Sequence, residues 1–419
     1  MRSPGRAGLL WVPLGSLVKA DMQTLLVSDL DPTLDDAAVL GASVTVYTSL
    51  ADAERVWREA VAACACYVFQ TFEWTNVWMN TIGSTQRVAA CVVHVAAADG
   101  RTLMLLPLGT YQNRYFTSLQ FLGGDATDYN APVIDRAFAS EVSANGFAKL
   151  WRIVIGLMPR FDLVCLARMP ETIEETPNPM LCLPAVRPNE TAFAATLPGT
   201  FADFAAARSA DFFRQNRYKW RRLAKLGAVE VRFPSDQAER DQIMQVAAEQ
   251  KTEWLTHYGL PNLFARPEVR EFYKRLTNTP FQTGGIVVAS LRVGQRIVAT
   301  MWGSRFRDRY CFLLSSYDKH WSQFSVGRLL MESVVQWCIS QRDVKVFDLT
   351  VGHEAYKLHW SDHMLSLHQQ VHARTPKGAA VVAYRQGRAQ LANYHQVRKL
   401  VRALRRAFRA RPGFARRRA

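Results

Sequence analysis

Residues Arg309–Asp362 read RYCFLLSSYDKHWSQFSVGRLLMESVVQWCISQRDVKVFDLTVGHEAYKLHWSD. The pattern predicts a strand over Tyr310–Ser316, a loop over Tyr317–Ser325, a helix over Leu329–Gln341 and a strand over Val344–Leu349 that runs into a second loop. A strand that enters a helix through a glycine makes an anion site. The first-turn N–H groups lack intrahelical partners, and the helix dipole places its positive end there. Ser325 is expected to cap this helix by accepting from those N–H groups. Gly327 lets a phosphate approach the backbone, Arg328 adds charge, and Leu329 follows as the first apolar anchor. An ordinary capped helix carries the same signature, so the stretch needs support from outside itself.

That support comes from the flanking chain. The first half begins with a strand at Val44–Tyr47. Helical spacing follows over Leu50–Cys64 and Glu73–Ile82, the latter placing Trp74 and Trp78 on one face. Strands Arg87–Ala96 and Thr102–Leu108 flank an Asp99-Gly100 turn, a hairpin signal. Strand Thr117–Leu122 leads to a Gly- and Asp-rich loop, Gly123–Asn130, then to a helix near Phe138–Leu157 and a strand at Phe161–Ala167. The second half opens on a basic helix, Asp211–Leu226, and continues as strand Val229–Phe233, helices Gln237–Tyr258 and Pro267–Asn278, and a meander over Gly285–Leu291, Gln295–Arg305 and Arg309–Ser316. A last strand is expected at Met364–Ala373. Strands and helices mix without strict βαβ alternation, which argues for an α+β fold with mixed, mostly antiparallel sheets. The expected division is an N-terminal leader (1–40, with Met22 as an alternative start), a first domain (41–168), a Pro-rich linker (169–200), a second domain (201–373) and a basic tail (374–419).

Charge sharpens the division. The 419 residues carry 52 Lys and Arg, 36 Asp and Glu, and a net charge of +16. From Ala373 onward there are 14 Lys and Arg and no acid; the remainder holds 38 basic against 36 acidic groups, a net of +2. A nearly neutral body with a basic tail argues against a nucleic-acid binder, whose charge sits on the folded surface. No apolar run approaches the roughly 18 residues of a membrane span. Seven scattered cysteines read as reduced and buried in a cytoplasmic protein. His368 and His372 would stand about 13 Å apart on a strand, too far to share a zinc ion, and no metal is expected.

Several motifs together resemble the CelD-type acyltransferase family of the GNAT superfamily. They are Tyr317-Asp318, Phe324-Ser325-Val326-Gly327-Arg328-Leu329-Leu330 and Phe347-Asp348 through Gly352, Glu354 and Tyr356-Lys357. Phe69-Gln70 with Trp74, Gly124-Asp125 with Asp128-Tyr129, Arg221-Arg222-Leu223 and Gln250-Lys251 extend the resemblance over about residues 40–375. Val326 stands where the family pattern has Pro, and His353 where it has Asp. The resemblance implies tandem GNAT-like domains and an acyltransferase. Acyl-CoA, typically acetyl-CoA, would be co-substrate with no permanent cofactor, held in the second domain at Ser325, Gly327, Arg328 and Leu329. The acceptor would be a saccharide, a lipid-linked sugar or an amine.

Direct transfer needs an anchor for the pyrophosphate, donors for the thioester oxygen, a base and an acid. Asp348 and Glu354 are the candidate bases, Tyr356 the candidate acid for the leaving thiolate, Lys357 a candidate oxyanion or phosphate contact, and Asp318 a further catalytic candidate that would face the same cleft. Each has a plainer structural reading: Asp as a loop acceptor, Glu354 and Lys357 as a surface pair. Asp125, Asp128 and Tyr129 are candidate acceptor contacts across a domain interface. The basic helix has two readings, a solvated face or a contact for phosphates. In the tail, Leu391, Tyr394, Val397, Val401, Leu404 and Phe408 form an apolar stripe at helical spacing, with Arg398, Lys399, Arg402, Arg405, Arg406 and Arg409 on another face. Such a helix suits the inner, anionic face of the plasma membrane; docking on the body is the alternative. A Fem-type transferase that uses aminoacyl-tRNA, and a non-catalytic GNAT scaffold at the membrane, are the competing readings of the whole chain.

Overall fold

The computed structural model describes residues 24–31, 33 and 36–393, with side chains as far as Arg388. The chain enters through β1 (Thr24–Leu26) and one helical turn, α1 (Val27–Leu30). It continues as β2 (Ser43–Tyr47), α2 (Leu50–Ala63), α3 (Phe72–Met79), β3 (Val88–Ala96), β4 (Thr102–Gln112), β5 (Thr117–Phe121), the short β6 (Val133–Ile134), α4 (Arg136–Glu141), α5 (Ala144–Leu157) and β7 (Leu163–Pro170). A small hairpin, β8 (Thr172–Ile173) and β9 (Thr176–Pro177), and the long β10 (Val186–Thr196) lead to α6 (Phe201–Ala206) and α7 (Ala210–Ala224). Then come β11 (Val229–Arg232), α8 (Gln237–His257), α9 (Pro267–Asn278), β12 (Gly285–Val293), β13 (Arg296–Phe306), β14 (Arg309–Tyr317), α10 (Val326–Ser340), β15 (Val346–Val351), β16 (His363–Ala373) and α11 (Pro376–Asn393).

One order of elements occurs twice: strand, two helices, three-stranded meander, helix, strand. The first copy runs from β2 to β7, the second from β11 to β15. Both lie in one sheet, ordered β1-β2-β3-β4-β5-β7-β16-β10-β15-β14-β13-β12-β11. The second copy is laid out in reverse, so the sheet has a mirrored arrangement about β16 and β10. Each copy has one parallel pair, and it is short. In the first, Ser118 and Leu119 of β5 meet Leu163 and Val164 of β7. In the second, Arg309 to Cys311 of β14 meet Val346 to Asp348 of β15. Beyond those residues the partners no longer pair, and each copy is left with a gap in the sheet.

Four expectations change. The chain from Thr24 is folded rather than leader, since β1 pairs with β2; residues 1–23 lie outside the described part. The Pro-rich stretch contains β10, a central strand flanked by β15 and β16. Its Pro188 sits where the register with β16 shifts, which is where a residue without an N–H is tolerated. The helix expected over 138–157 is two helices, because Ser143 caps α5 by accepting from Gly146 N and also donates to Asp36. Cys182 is exposed, unlike five buried cysteines. Among the described residues no helix is long and apolar enough to cross a membrane, and the apolar stripe expected from Leu391 onward lies outside the described side chains.

The two copies are packed, not merely linked. Trp74 is 1% exposed, its ring 5.8 Å from Phe272 and 6.1 Å from Trp302 of the second copy. Arg307, left-handed at φ +54° in the β13–β14 turn, donates to the carbonyls of Val61 and Cys64 and pairs with Glu174. That turn bolts the second copy to the first at the base of the short β14–β15 pair.

Candidate functional site

β15 carries a carboxylate through the core. Asp348 is fully buried; its Oδ1 accepts from the Tyr129 hydroxyl at 2.7 Å and from Thr350 N at 2.8 Å, and its Oδ2 from Arg309 Nη1 at 2.8 Å. Burial works against the Arg309 charge, but the Asp348 carboxylate overrides it and holds the guanidinium above its ordinary value. The guanidinium also lies 5.4 Å from the Tyr67 ring centre. Tyr129 comes from the Gly123–Asn130 loop of the first copy and is itself fully buried; burial, then Asp348, push its phenol well up. It is a donor only. Phe69 packs edge-on against Tyr129, and Gln70 Nε2 donates to the Tyr129 carbonyl at 2.7 Å. The Phe69-Gln70 motif thus holds the loop that reaches the second copy.

The same loop closes the gap of its own copy. Asn130 N donates to Arg168 O at 2.9 Å and Asn130 Nδ2 to Ala167 O at 3.0 Å, while Arg168 Nη1 returns to Thr127 O. These contacts lie on β7 past its pairing with β5. In the equivalent stretch of the second copy, β14 past Cys311 and β15 past Asp348, no loop among the described residues makes such a set of backbone contacts. Thr350 Oγ1 reaches Phe312 O at 3.2 Å, and beyond it the gap is bordered by Ser315, Thr350 and Val351.

The polar groups converge at that end. Thr350, a β-branched residue held left-handed at φ +57°, is strained by of order 1–3 kcal/mol. Lys357, in the short turn Ala355–His359, fixes this bend: its buried Nζ donates to Val351 O at 2.7 Å and Thr350 O at 3.3 Å and lies 3.1 Å from Glu354 Oε2. Gly352, at φ +133°, permits that approach, since a Cβ there would fall 2.3 Å from Glu354 Oε2. Glu354 is largely exposed and Tyr356 half-exposed; burial of the phenol, then Glu354, push Tyr356 up. Asp128 faces the same corner. Burial raises its carboxyl above the ordinary value, against the pull of Thr350, Arg168 and Lys357. Lys251 of α8 donates to Ser315 O at 3.4 Å; burial pushes it down and Glu354 draws it up.

Two sequence candidates stand elsewhere. Asp318 caps the turn Lys319–Phe324, accepting from His320 N at 3.0 Å, and pairs with Arg296 at 2.6 Å. It opens on a groove beside α8 rather than joining Asp348. Asp125 is exposed in the turn Gly124–Ala126 and acts on Tyr111 of its own copy.

The other end of the gap is the start of α10. Ser325 does not cap with its side chain, contrary to expectation. Left-handed at φ +52°, it turns its hydroxyl to Lys219 Nζ of α7, and its carbonyl takes Arg328 N and Leu329 N. The Arg328 guanidinium lies 4.7 Å from the Phe212 ring centre, with Nε and Nη2 buried and unpartnered. Burial pushes Arg328 down and Glu332 draws it up; burial, then Arg328 and Arg222, push Lys219 down. Three cations therefore crowd an end that the dipole already makes positive. A Cβ on Gly327 would meet only Tyr317 Cδ1, at 3.6 Å. Beside them a groove of about 420 Å³ runs between α7 and α10, with Asn216, Trp220, Leu329 and Glu332 in its walls. Asn216 is 1% exposed, gives its amide to Glu332 and leaves Oδ1 unpartnered.

Lys219, Arg309 and Lys251 are the groups that motif reading underrated. Lys251 was visible as part of Gln250-Lys251, and Lys219 as part of the basic helix. Arg309 gave one signal, a charge at the head of an apolar strand.

Cations and a helix N-terminus stand at one end of the split β14–β15 pair and acid–base groups at the other, a set of groups chemically suited to a ligand that carries phosphate. Residues 210–358 match the family model of the acetyltransferase (GNAT) domain, a span that starts at α7 and ends just past Lys357. The match covers the second copy almost whole, from the helix before β11 to the turn after β15. Solved structures share the wider fold. FemX aligns at 9% identity over 75% of this chain and 95% of its own, with a TM-score of 0.52. L-PGS from Bacillus licheniformis aligns at 10% identity over 74% and 93%, with a TM-score of 0.44. A tandem GNAT protein from the clavulanic acid biosynthesis pathway aligns at 9% identity over 80% and 99%, with a TM-score of 0.42. The likeness at such identities is one of fold. No curated protein matches the chain in sequence.

Proposed function

We propose that the second copy transfers an acyl group from acyl-CoA, typically acetyl-CoA, to an amine or hydroxyl by direct attack on the thioester. The observation that carries this is the half-buried Arg328 guanidinium at the first turn of α10, whose Nε and Nη2 are buried without partners, backed by Lys219 and Arg222. Buried donors without partners are costly, and a pyrophosphate would satisfy them together with the N–H groups of Val326 and Gly327 at the start of α10. The α7–α10 groove would take the nucleotide end, with Trp220 as a stacking face. The acyl chain would run along the β14–β15 gap towards Lys357.

We assign proton removal from the acceptor to Asp128, whose burial brings its pKa up towards the working range. Glu354 orients Lys357, and Tyr356, protonated throughout the neutral range, donates to the leaving thiolate. Asp348 is the structural centre that joins the copies. As the acceptor we read a saccharide, a lipid-linked sugar or an envelope amine, in keeping with the CelD-type resemblance, with the protein cytoplasmic and its basic tail on the inner membrane face.

Isothermal titration of acetyl-CoA tests the donor, and Gly327→Ala sharpens the result. Alanine in a helix is favoured over glycine by about 1 kcal/mol, and the added methyl meets no close neighbour. Thermal stability should therefore rise while acetyl-CoA binding weakens about tenfold, as the methyl enters the ligand's space. Unchanged binding would place the donor elsewhere. Asp128→Asn should lower kcat/KM by about 100-fold or more and Glu354→Gln by less. A base works only when deprotonated, so wild-type activity should fall as pH drops, with the acid limb above the ordinary carboxylate range. An acid limb that persists in Asp128→Asn would transfer the role to another group.

The fold shared with FemX and the basic α7 favour one second reading, an aminoacyl-tRNA donor. It would show as tRNA binding with a steep salt dependence and no heat with acetyl-CoA.

A further inference from the structure

The tip of the β4–β5 hairpin, Arg114-Tyr115-Phe116, lies beside α11. The two enclose a shallow hollow of about 610 Å³, walled by Tyr115, Phe116, Ala380, Val381, Tyr384 and Arg388. Tyr115 is 69% exposed and Tyr384 65%. Each ring carries an arginine: Arg114 at 5.8 Å from Tyr115, Arg385 at 5.6 Å from Phe116 and Arg388 at 5.9 Å from Tyr384. Among the described residues no carboxylate lines the hollow. Asp162, at the foot of α11, is engaged by Thr117 N, Thr375 Oγ1 and Lys377 Nζ. Nothing in the site at the β14–β15 gap uses these residues.

An exposed face of tyrosines under arginines has an amphipathic character that suits the boundary between lipid headgroups and acyl chains. Charge selects the occupant. The chain beyond α11 holds only basic charged groups, so its own tail would meet like charge in the hollow. We propose that this face seats the protein on an anionic phospholipid surface. The proposal deepens the peripheral placement read from the tail and is independent of acyl transfer. Single-stranded RNA also meets arginines and aromatic rings, but the apolar spacing of Leu391, Tyr394, Val397, Val401, Leu404 and Phe408 in the sequence has no use on RNA and a direct one in a bilayer interface.

The test is co-sedimentation of the full chain with phosphatidylcholine vesicles, with and without about a third phosphatidylglycerol. The face variant is Tyr115→Ser/Tyr384→Ser/Arg388→Glu, all at exposed positions; the tail variant is Arg402→Glu/Arg405→Glu/Arg406→Glu. Wild type should bind the anionic vesicles and not the neutral ones. Each variant should weaken that binding by about tenfold or more, with the face variant melting at the wild-type temperature. Anionic-vesicle binding unaffected by the face variant would overturn the proposal and leave the tail as the anchor. No vesicle binding by the wild type would overturn both. Loss of polyuridylate binding in the face variant, with vesicle binding intact, would overturn it in favour of RNA. None of these outcomes depends on donor or acceptor turnover.

Discussion

Asp348→Ala should unfold at a stability lower by about 3–5 kcal/mol, measured by chemical denaturation. The substitution deletes one partner of a fully buried ion pair and strands three donors: the Arg309 guanidinium, the Tyr129 hydroxyl and Thr350 N. Arg309 has no replacement carboxylate at hand, and its burial makes an unpaired charge expensive. Tyr129→Phe removes only one hydroxyl from the same cluster and should cost about 1–2 kcal/mol. In the double variant the two losses should fall short of their sum, because the hydroxyl has no acceptor once Asp348 is gone. A single loss below about 1 kcal/mol for Asp348→Ala would mean that Arg309 finds water or a second acceptor, and that the centre is less closed than its geometry indicates.

The second large effect concerns the donor. Arg328→Met should reduce acetyl-CoA affinity by about 10- to 100-fold, the worth of one or two charge-assisted hydrogen bonds. Arg328→Glu should abolish measurable binding, since it sets a carboxylate beside Glu332 and the incoming phosphates. Stability should respond in the opposite sense in Arg328→Met. The native guanidinium leaves Nε and Nη2 buried without partners, and a thioether over the Phe212 ring leaves nothing unsatisfied. A variant that melts at or above the wild-type temperature yet fails to bind acetyl-CoA would separate a binding role from a structural one. Unaltered affinity in Arg328→Met would exclude the α10 cradle as the anchor.

Much of the second copy is legible in the chain. The strand–loop–helix–strand over 309–351 follows from apolar alternation, and the meander from its turns. Lys357, Asp348 and the Gly327-Arg328 pair are visible by position. What escapes is information that the sequence carries only at long range. Tyr129 and Asp348 are 219 residues apart, and no local pattern announces their bond. Ser325 has the composition of a cap, but its left-handed backbone turns the hydroxyl away, a conformation that non-glycine residues rarely adopt. β10 is hidden by Pro188 and the prolines on either side of the strand, because composition weighs Pro188 as a breaker while the sheet accommodates it at a register shift.

The placement of β16 has a cost in time. This strand is made after every other strand of the sheet, yet its place is between β7 and β10. Until it leaves the ribosome, the edges of β7 and β10 stand open, with backbone groups ready to pair with a neighbour. Growth at about 5–20 residues per second makes that wait long on the scale of strand pairing. The nascent chain is therefore most exposed to mispairing just before β16 emerges, and a chaperone that shields strand edges would matter most at that stage.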